Sequence, residues 1–513
     1  MLPDRLNPRG VQLPRALFTA EQVRELDRQA IGSGIPGFEL MTRAGRAAFT
    51  LIQQRWAHCT PIEVFCGGGN NGGDGYVVAA LAAEAGIPVR VWALSDKLKG
   101  DALTAKVWAE NSGVAITPWA GQSPAAGGIV VDAMLGTGLS GAVRARYAEA
   151  IAVINASPAP VIAVDIPSGL CSDTGRLLGE ALRAQATMTF IGLKRGLFTG
   201  AAAEVVGELV FDDLQVPRDI LDAMPPSALR TDYRDIALAL SRRSPTAHKG
   251  RFGHVLVVGG DSGMAGAALL SASAAGRCGA GLVSCATRAA HIPALVAARP
   301  EVMAHAVDSG DALAPLLARA SVVAAGPGLG QAEWGRVLLS AVLASDLPAV
   351  VDADALNLVA SKQVDLGVEH AARIITPHPG EAARLLGGDV EEVQADRFAA
   401  ARELNRRYGA VVLLKGAGTI VCDDSQLWVV GGGNPGMASG GMGDALTGVI
   451  AALLAQHLPP VGAARIGAAV HNLAADLAAA DGQVGMLAGD VVANIRKAVN
   501  GITAVNGIEV ASG

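Results

Sequence analysis

Short unbroken apolar runs alternate along this chain with Ala-rich stretches whose apolar positions recur every three or four residues. The runs are "PIEVFC", "IPVRVWAL", "GGIVVDAML" and "APVIAVDIP", followed later by "GHVLVVGG", "ASVVAAG", "LPAVVDADAL", "ARIITP" and "AVVLLKG". Runs of this length between amphipathic helices predict parallel strands buried on both faces and joined by right-handed crossovers. Helix starts are legible too. In "TAEQVRELDRQAI" Thr19 and Gln22 have capping-box spacing ahead of apolar residues at helical intervals. The pattern predicts an α/β protein throughout.

At 513 residues the chain exceeds one ordinary core. Its texture changes between roughly 212 and 248, where "DDLQVPRDILDAMPPSALRTDYRDIALALSRRSPTAHKG" is rich in proline and charge and lacks a strand-like run. This stretch is expected to connect two α/β domains, 1–225 and 226–513. Hydrophobic content of 51%, charged content of 17% and a net charge of -6 describe a globular protein without the excess Lys and Arg of a general nucleic-acid or anionic-membrane surface. No apolar run approaches the ~18 residues of a membrane span. The opening decapeptide "MLPDRLNPRG" has no apolar segment that would suit a signal peptide. Six cysteines without CxxC spacing fit reduced thiols in a cytoplasmic protein.

Chemistry concentrates where glycines follow the strands. After "PIEVFC" comes "GGGNNGGDG" and then a helical segment. Glycine-rich turns let backbone N–H groups face a ligand, and a helix start adds a positive dipole end, so a phosphate is the natural guest. Two GxGxxG spacings occur, at Gly67, Gly69 and Gly72 and again at Gly136, Gly138 and Gly141. A dinucleotide site of the dehydrogenase kind needs one, on its first strand, so the pair weakens that assignment. Asn71, Asp132, Asp165 and Ser168 lie at or just beyond strand ends, where their oxygens either surround a hard cation beside bound phosphate or merely cap turns and helices.

The C-terminal half carries "HKG", "MAGAA", "GPGLG", "DADALNL", "TPHPGE", "LKGAGT" and "NPGMASGGMGD" in that order. "GDSG" at Gly260–Gly263 echoes a serine-protease loop, but its α/β surroundings are wrong for one, and GxxxxGK[ST] is absent. In "GGMGDAL" the glycine amides and the helix start can hold a phosphoryl group while Asp444 takes the proton of the attacking hydroxyl. Alternatively Asp444 is an acid favoured by the helix dipole. Lys415 is either a phosphate contact or a surface lysine, and His378 between two prolines is either a site residue or a turn histidine.

Together these motifs resemble the bifunctional NAD(P)H-hydrate repair enzymes, in which an epimerase domain precedes an ADP-dependent dehydratase domain. "NNGGDG", "VDAMLGTGLSG" and "VDIPSGL" match the first domain and the C-terminal set matches the second, across nearly the whole chain. The resemblance implies an N-terminal Rossmann-like three-layer αβα domain and a C-terminal ribokinase-like α/β domain. It implies that Asn70, Asn71, Gly72, Gly73 and Asp74, with Gly136, Thr137, Gly138, Leu139, Ser140, Gly141 and Ala142, hold hydrated NADH or NADPH (NADHX, NADPHX). Potassium would be bound by Asn71, Asp132 and Ser168, and Asp165 would touch the reacting ring as acid and base. In the second domain Lys415, Gly416, Ala417, Gly418, Thr419 and Gly443 would bind ADP. Ala267, Gly328, His378 and Asp444 would face the hydrate, and magnesium is expected at the phosphates without a legible ligand set. The family usually has an acid or amide at Thr42, Ser at Asp261 and Thr at Ser439. A homo-oligomer is expected, with small-molecule substrates and neither nucleic acid nor membrane as partner. A small-alcohol kinase with an extra dinucleotide domain and a non-catalytic dinucleotide sensor are the competing classes.

Overall fold

The protein is seen in a computed structural model that describes residues 13–240, 243–367 and 372–501. The opening decapeptide lies outside them. Two compact units emerge, Leu2–Leu229 and Arg230–Gly513.

In the first unit seven strands form one parallel sheet, ordered Ala115–Pro118, Val89–Ala93, Ile62–Cys66, Ile129–Ala133, Val161–Val164, Ala186–Phe190 and Glu208–Asp212. The order runs outward in both directions from Ile62–Cys66 and Ile129–Ala133, which makes the crevice beyond their C-terminal ends the topological switch point. Helix Asn70–Glu84 leaves the first of these strands and is buried along most of its length, from Tyr76 to Ala82. The predicted capping box also forms: Gln22 N donates to Thr19 Oγ1 at 3.2 Å and Thr19 N to Gln22 Oε1 at 2.9 Å, starting helix Ala20–Gly32.

In the second unit Met303–Ala306, Leu282–Thr287, His254–Val258, Val322–Ala325, Ala349–Val351, Arg373–Ile375 and Val411–Leu414 lie parallel in that order. The sheet continues antiparallel through Thr419–Cys422 and Leu427–Val430. Neither of these two strands is among the runs read from the sequence, and four residues, Lys415–Gly418, separate Val411–Leu414 from Thr419–Cys422. That is too short for a crossover helix and suits a hairpin. Helix Met442–Ala455 is apolar on every side, with Ala445–Ala455 all buried, so it runs through the core against helix Ala265–Cys278.

The connecting stretch departs from its sequence reading, since it holds strand Ala228–Thr231 and helices Arg218–Ala223 and Arg234–Ala239. "ALRT" alternates over only four residues, too few to show a period. No helix among the described residues is long and apolar enough to cross a membrane.

Candidate active sites

At the switch point of the first unit, Asp132 is the penultimate residue of strand Ile129–Ala133 and has no exposed surface. Its Oδ2 accepts Ser168 N at 2.8 Å, and its Oδ1 accepts Ser168 Oγ at 2.6 Å and Met134 N at 3.2 Å. Burial raises the Asp132 carboxyl to about 6 even against those three bonds. Asn71 is buried in the first turn of helix Asn70–Glu84, yet neither its Oδ1 nor its Nδ2 has a protein partner. A Cβ built on Gly136 would sit 3.1 Å from Asn71 Cβ, so the loop 136–142 begins directly against this side chain. Around Gly138, Ser140, Gly141 and Ala142 that loop is exposed. Within "NNGGDG" the glycines face inward instead: a Cβ at Gly72 would fall 2.2 Å from Gly67 O and one at Gly73 2.5 Å from Met41 Sδ. Their lack of side chain serves packing, which leaves the helix-start amides, Asn70 and Asp74 to meet a ligand.

Asp165 follows strand Val161–Val164 with φ 70°, a left-handed conformation that a non-glycine residue adopts under constraint. It pairs with Lys194 Nζ, which also donates to Thr189 Oγ1 and Phe190 O, each at 3.0 Å. Lys194 is only 1% exposed. Around this pair, burial and then the charges of Asp165 and Asp27 push Asp74 well above the usual carboxylate range. Burial likewise brings Asp27 to about 6, with Lys194 opposing. Lys194 and Asp27 escaped the sequence reading, because neither "GLKRG" nor "ELDRQ" carries a spacing that points inward.

In the second unit Gly328, His378 and Lys415 follow the C-terminal ends of parallel strands, Ala267, Gly443 and Asp444 stand in the first turns of helices, and Thr419 opens an antiparallel strand. Helix Met442–Ala455 opens at Gly441, in left-handed conformation at φ 86°, and its first intrahelical bond is Ala445 N to Gly441 O at 3.0 Å. The amides of Met442, Gly443 and Asp444 therefore lack intrahelical acceptors, the arrangement an anion seeks. Burial, then the charge of Asp352, raises Asp444 to about 6 while Lys415 opposes. Lys415 Nζ donates to Asp352 Oδ1 at 2.7 Å and lies 3.9 Å from Glu381 Oε2. Burial alone would lower the lysine's pKa, but Asp352 and Glu381 outweigh it and the net shift is upward.

His378 caps helix Pro379–Leu386, its Nδ1 accepting from Gly380 N at 3.0 Å, which leaves the ring proton on Nε2. Burial and then Lys415 lower its pKa, so it stays neutral, with half of the side chain exposed. Gly328 and Ala267 face each other, a Cβ on the glycine coming 3.1 Å from that of Ala267. Gly416 and Ala417 form an exposed turn over the buried Arg397, whose guanidinium donates to the carbonyls of Leu414 and Lys415 at 3.3 and 3.2 Å. Thr419 is buried. Thr447 also went unread, although it stands one helical turn beyond Asp444 and on the same face.

Residues 255–497 match the protein family described as NAD(P)H-hydrate dehydratase, and residues 37–196 match the one described as YjeF-related protein N-terminus. The chain is 46% identical over 488 residues to the bifunctional NAD(P)H-hydrate repair enzyme Nnr of Coxiella burnetii, covering 94% of this chain and 99% of that one. It is 45% identical over 506 residues to the enzyme of the same name from Escherichia coli, covering 98% and 97%. Among solved structures, the ADP/ATP-dependent NAD(P)H-hydrate dehydratase from Bacillus subtilis co-crystallized with ATP/Mg2+ is 29% identical, with a TM-score of 0.46 over 52% of this chain and 95% of that one.

Proposed function

Since the chain belongs to the bifunctional NAD(P)H-hydrate repair enzymes, we propose that its first unit interconverts the R and S hydrates of NADH and NADPH and that its second dehydrates the S hydrate at the expense of ADP. One observation carries the second activity: Asp444, raised to about 6, sits in the open first turn of a buried helix with Lys415 nearby. A base with that pKa is ionised at neutral pH yet still basic enough to take a proton.

The C6 hydroxyl gives its proton to Asp444 as its oxygen attacks the terminal phosphoryl group of ADP. The amides of Met442, Gly443 and Asp444 and the Lys415 ammonium hold the charge that develops, and AMP leaves. Phosphate is a far better leaving group than hydroxide. The ring-nitrogen lone pair expels it from C6, and loss of a C5 proton restores the dihydropyridine. ADP is held by the turn Lys415–Thr419 and by Gly443, while Ala267, Gly328 and His378 face the hydrate. Magnesium is expected with the phosphates. Asp352 and Glu381 are engaged by Lys415, and the described residues hold no cluster of three His, Cys, Asp or Glu fit for a metal.

In the first unit C6 is a hemiaminal carbon, and it inverts when a bond to it opens and recloses. Asp165 exchanges the proton, while Asn70–Asp74 and Gly136–Ala142 hold the dinucleotide. Asn71, Asp132 and Ser168 suit potassium, because the partnerless Asn71 Oδ1 and the buried Asp132 carboxylate both want a cation. When bound, that ion supplies positive charge beside the dinucleotide phosphates.

Mixed R and S hydrates incubated with ADP test both assignments. The unaltered protein is expected to consume both epimers and restore absorbance at 340 nm. Asp165→Asn should leave one epimer behind, and Asp444→Asn should restore none. Accumulation of a phosphorylated product would instead indicate a kinase.

A further inference from the structure

Asp352 stands in the N-cap position of helix Ala353–Ala360, where an aspartate ordinarily accepts a hydrogen bond from the helix's own amides. Here it makes no such bond. The carboxylate turns away from the helix and is buried, with 1% of the residue exposed. The next residue, Ala353, is held at φ 50°, which costs a residue with a Cβ energy unless the surroundings demand it. Gly326 allows the close approach of strand ends, since a Cβ there would lie 1.8 Å from Asp352 O. The backbone thus forgoes a cap and accepts strain to aim one carboxylate elsewhere.

Both oxygens find partners there. Oδ1 accepts from Lys415 Nζ at 2.7 Å, and Oδ2 accepts from Thr447 Oγ1, also at 2.7 Å. Thr447 has no exposed surface and lies one turn along the helix from Asp444. The bond therefore ties the strand end that carries Asp352 to the helix that carries the base. A Cβ on Gly443 would meet Lys415 Nζ at 3.2 Å and Asp352 Oδ2 at 3.6 Å, so the ammonium lies directly against the turn Gly443–Asp444.

We infer that Asp352 is a positioning residue of the dehydratase site: its carboxylate, clamped by Thr447, aims the Lys415 ammonium at the phosphoryl group passing over the Gly443–Asp444 turn and keeps Asp444 basic. This rests on the proposed role of Asp444. The charged groups acting on Asp444 are Asp352, Asp354 and Lys415, and Glu381 acts on Lys415 from helix Pro379–Leu386. Removing the Asp352 charge withdraws a repelling carboxylate and leaves the lysine freer to favour the Asp444 anion. Both changes make Asp444 a weaker base.

The test is the steady-state pH dependence of dehydration with ADP. Below about pH 6 the unaltered enzyme should lose kcat as Asp444 takes up a proton. Asp352→Asn keeps the side-chain shape. It should move that acid limb down by about one pH unit, lower the plateau kcat, and raise the KM for ADP roughly tenfold as a charge-assisted bond is lost. An unmoved acid limb with unchanged KM overturns the inference, whatever happens to thermal stability. Should Asp352→Asn fail to fold, Thr447→Val and Thr447→Ser decide: the valine must raise the KM for ADP and the serine must restore it, and equal values for both overturn the clamp. Retained turnover in Asp444→Asn is a different failure, because it removes the base itself.

Discussion

Lys194 shows how much one side chain can carry without a motif. All three of its ammonium protons are committed, to Asp165, Thr189 and Phe190, in a place where water scarcely reaches. Taking away one member of such a pair leaves the other ion unpaired in a poor solvent, and that penalty exceeds what the pair contributes when intact. Lys194→Met is therefore expected to cost about 3 kcal/mol of stability, seen as a lower urea midpoint, and to slow epimerisation while ADP-dependent dehydration of the S hydrate continues. Unchanged epimerisation would show that Asp165 needs no cation beside it. Asp165 itself was legible from "VDIPSGL", whereas Lys194 reaches it across 29 positions of sequence through a turn that no local pattern announces.

At the scale of elements, helix Met442–Ala455 joins catalysis to packing. Its first turn is the proposed seat of phosphate and base, and its body is buried against helix Ala265–Cys278. Gly448 is where the two backbones meet, since a Cβ there would fall 2.0 Å from Ser271 O. Helix propensity by itself favours alanine over glycine by about 1 kcal/mol. Here the sign should reverse: Gly448→Ala is expected to lower the melting temperature and the dehydration rate together, because the helices must separate and the anion-binding turn moves with them. A stabilised, fully active variant would contradict that close contact. Only packing distinguishes the role of this glycine from that of Gly443, which leaves room for Lys415.

For the whole molecule, each unit has a buried core of its own, built around helix Asn70–Glu84 in one and helix Met442–Ala455 in the other. Independent cores melt independently. Calorimetry of the intact chain is expected to resolve two transitions, one raised by ADP and the other by potassium, since a ligand stabilises only the fold that binds it. Asn71→Leu should abolish the potassium response and spare the ADP response. A single transition shifted by either ligand would mean that the two cores unfold as one.

The order of apolar runs and glycine turns was enough to settle the α/β class and most of the sheet strands, because those follow from local periodicity and from backbone geometry that only glycine permits, while the family was legible only as a resemblance carried by the ordered motifs. Asp444, Asp165, Asn71, Asp132 and Ser168 stood out as candidates because each lies near the end of a legible strand or the start of a legible helix, while the grouping of Asn71, Asp132 and Ser168 came from the resemblance. Folding alone decided which charges face one another. Lys194 behind Asp165, Asp352 between Lys415 and Thr447, and the hairpin after Lys415 depend on strands far apart in the chain lying side by side. The energy of a buried charge is likewise set by its neighbours in space and not by its neighbours in sequence.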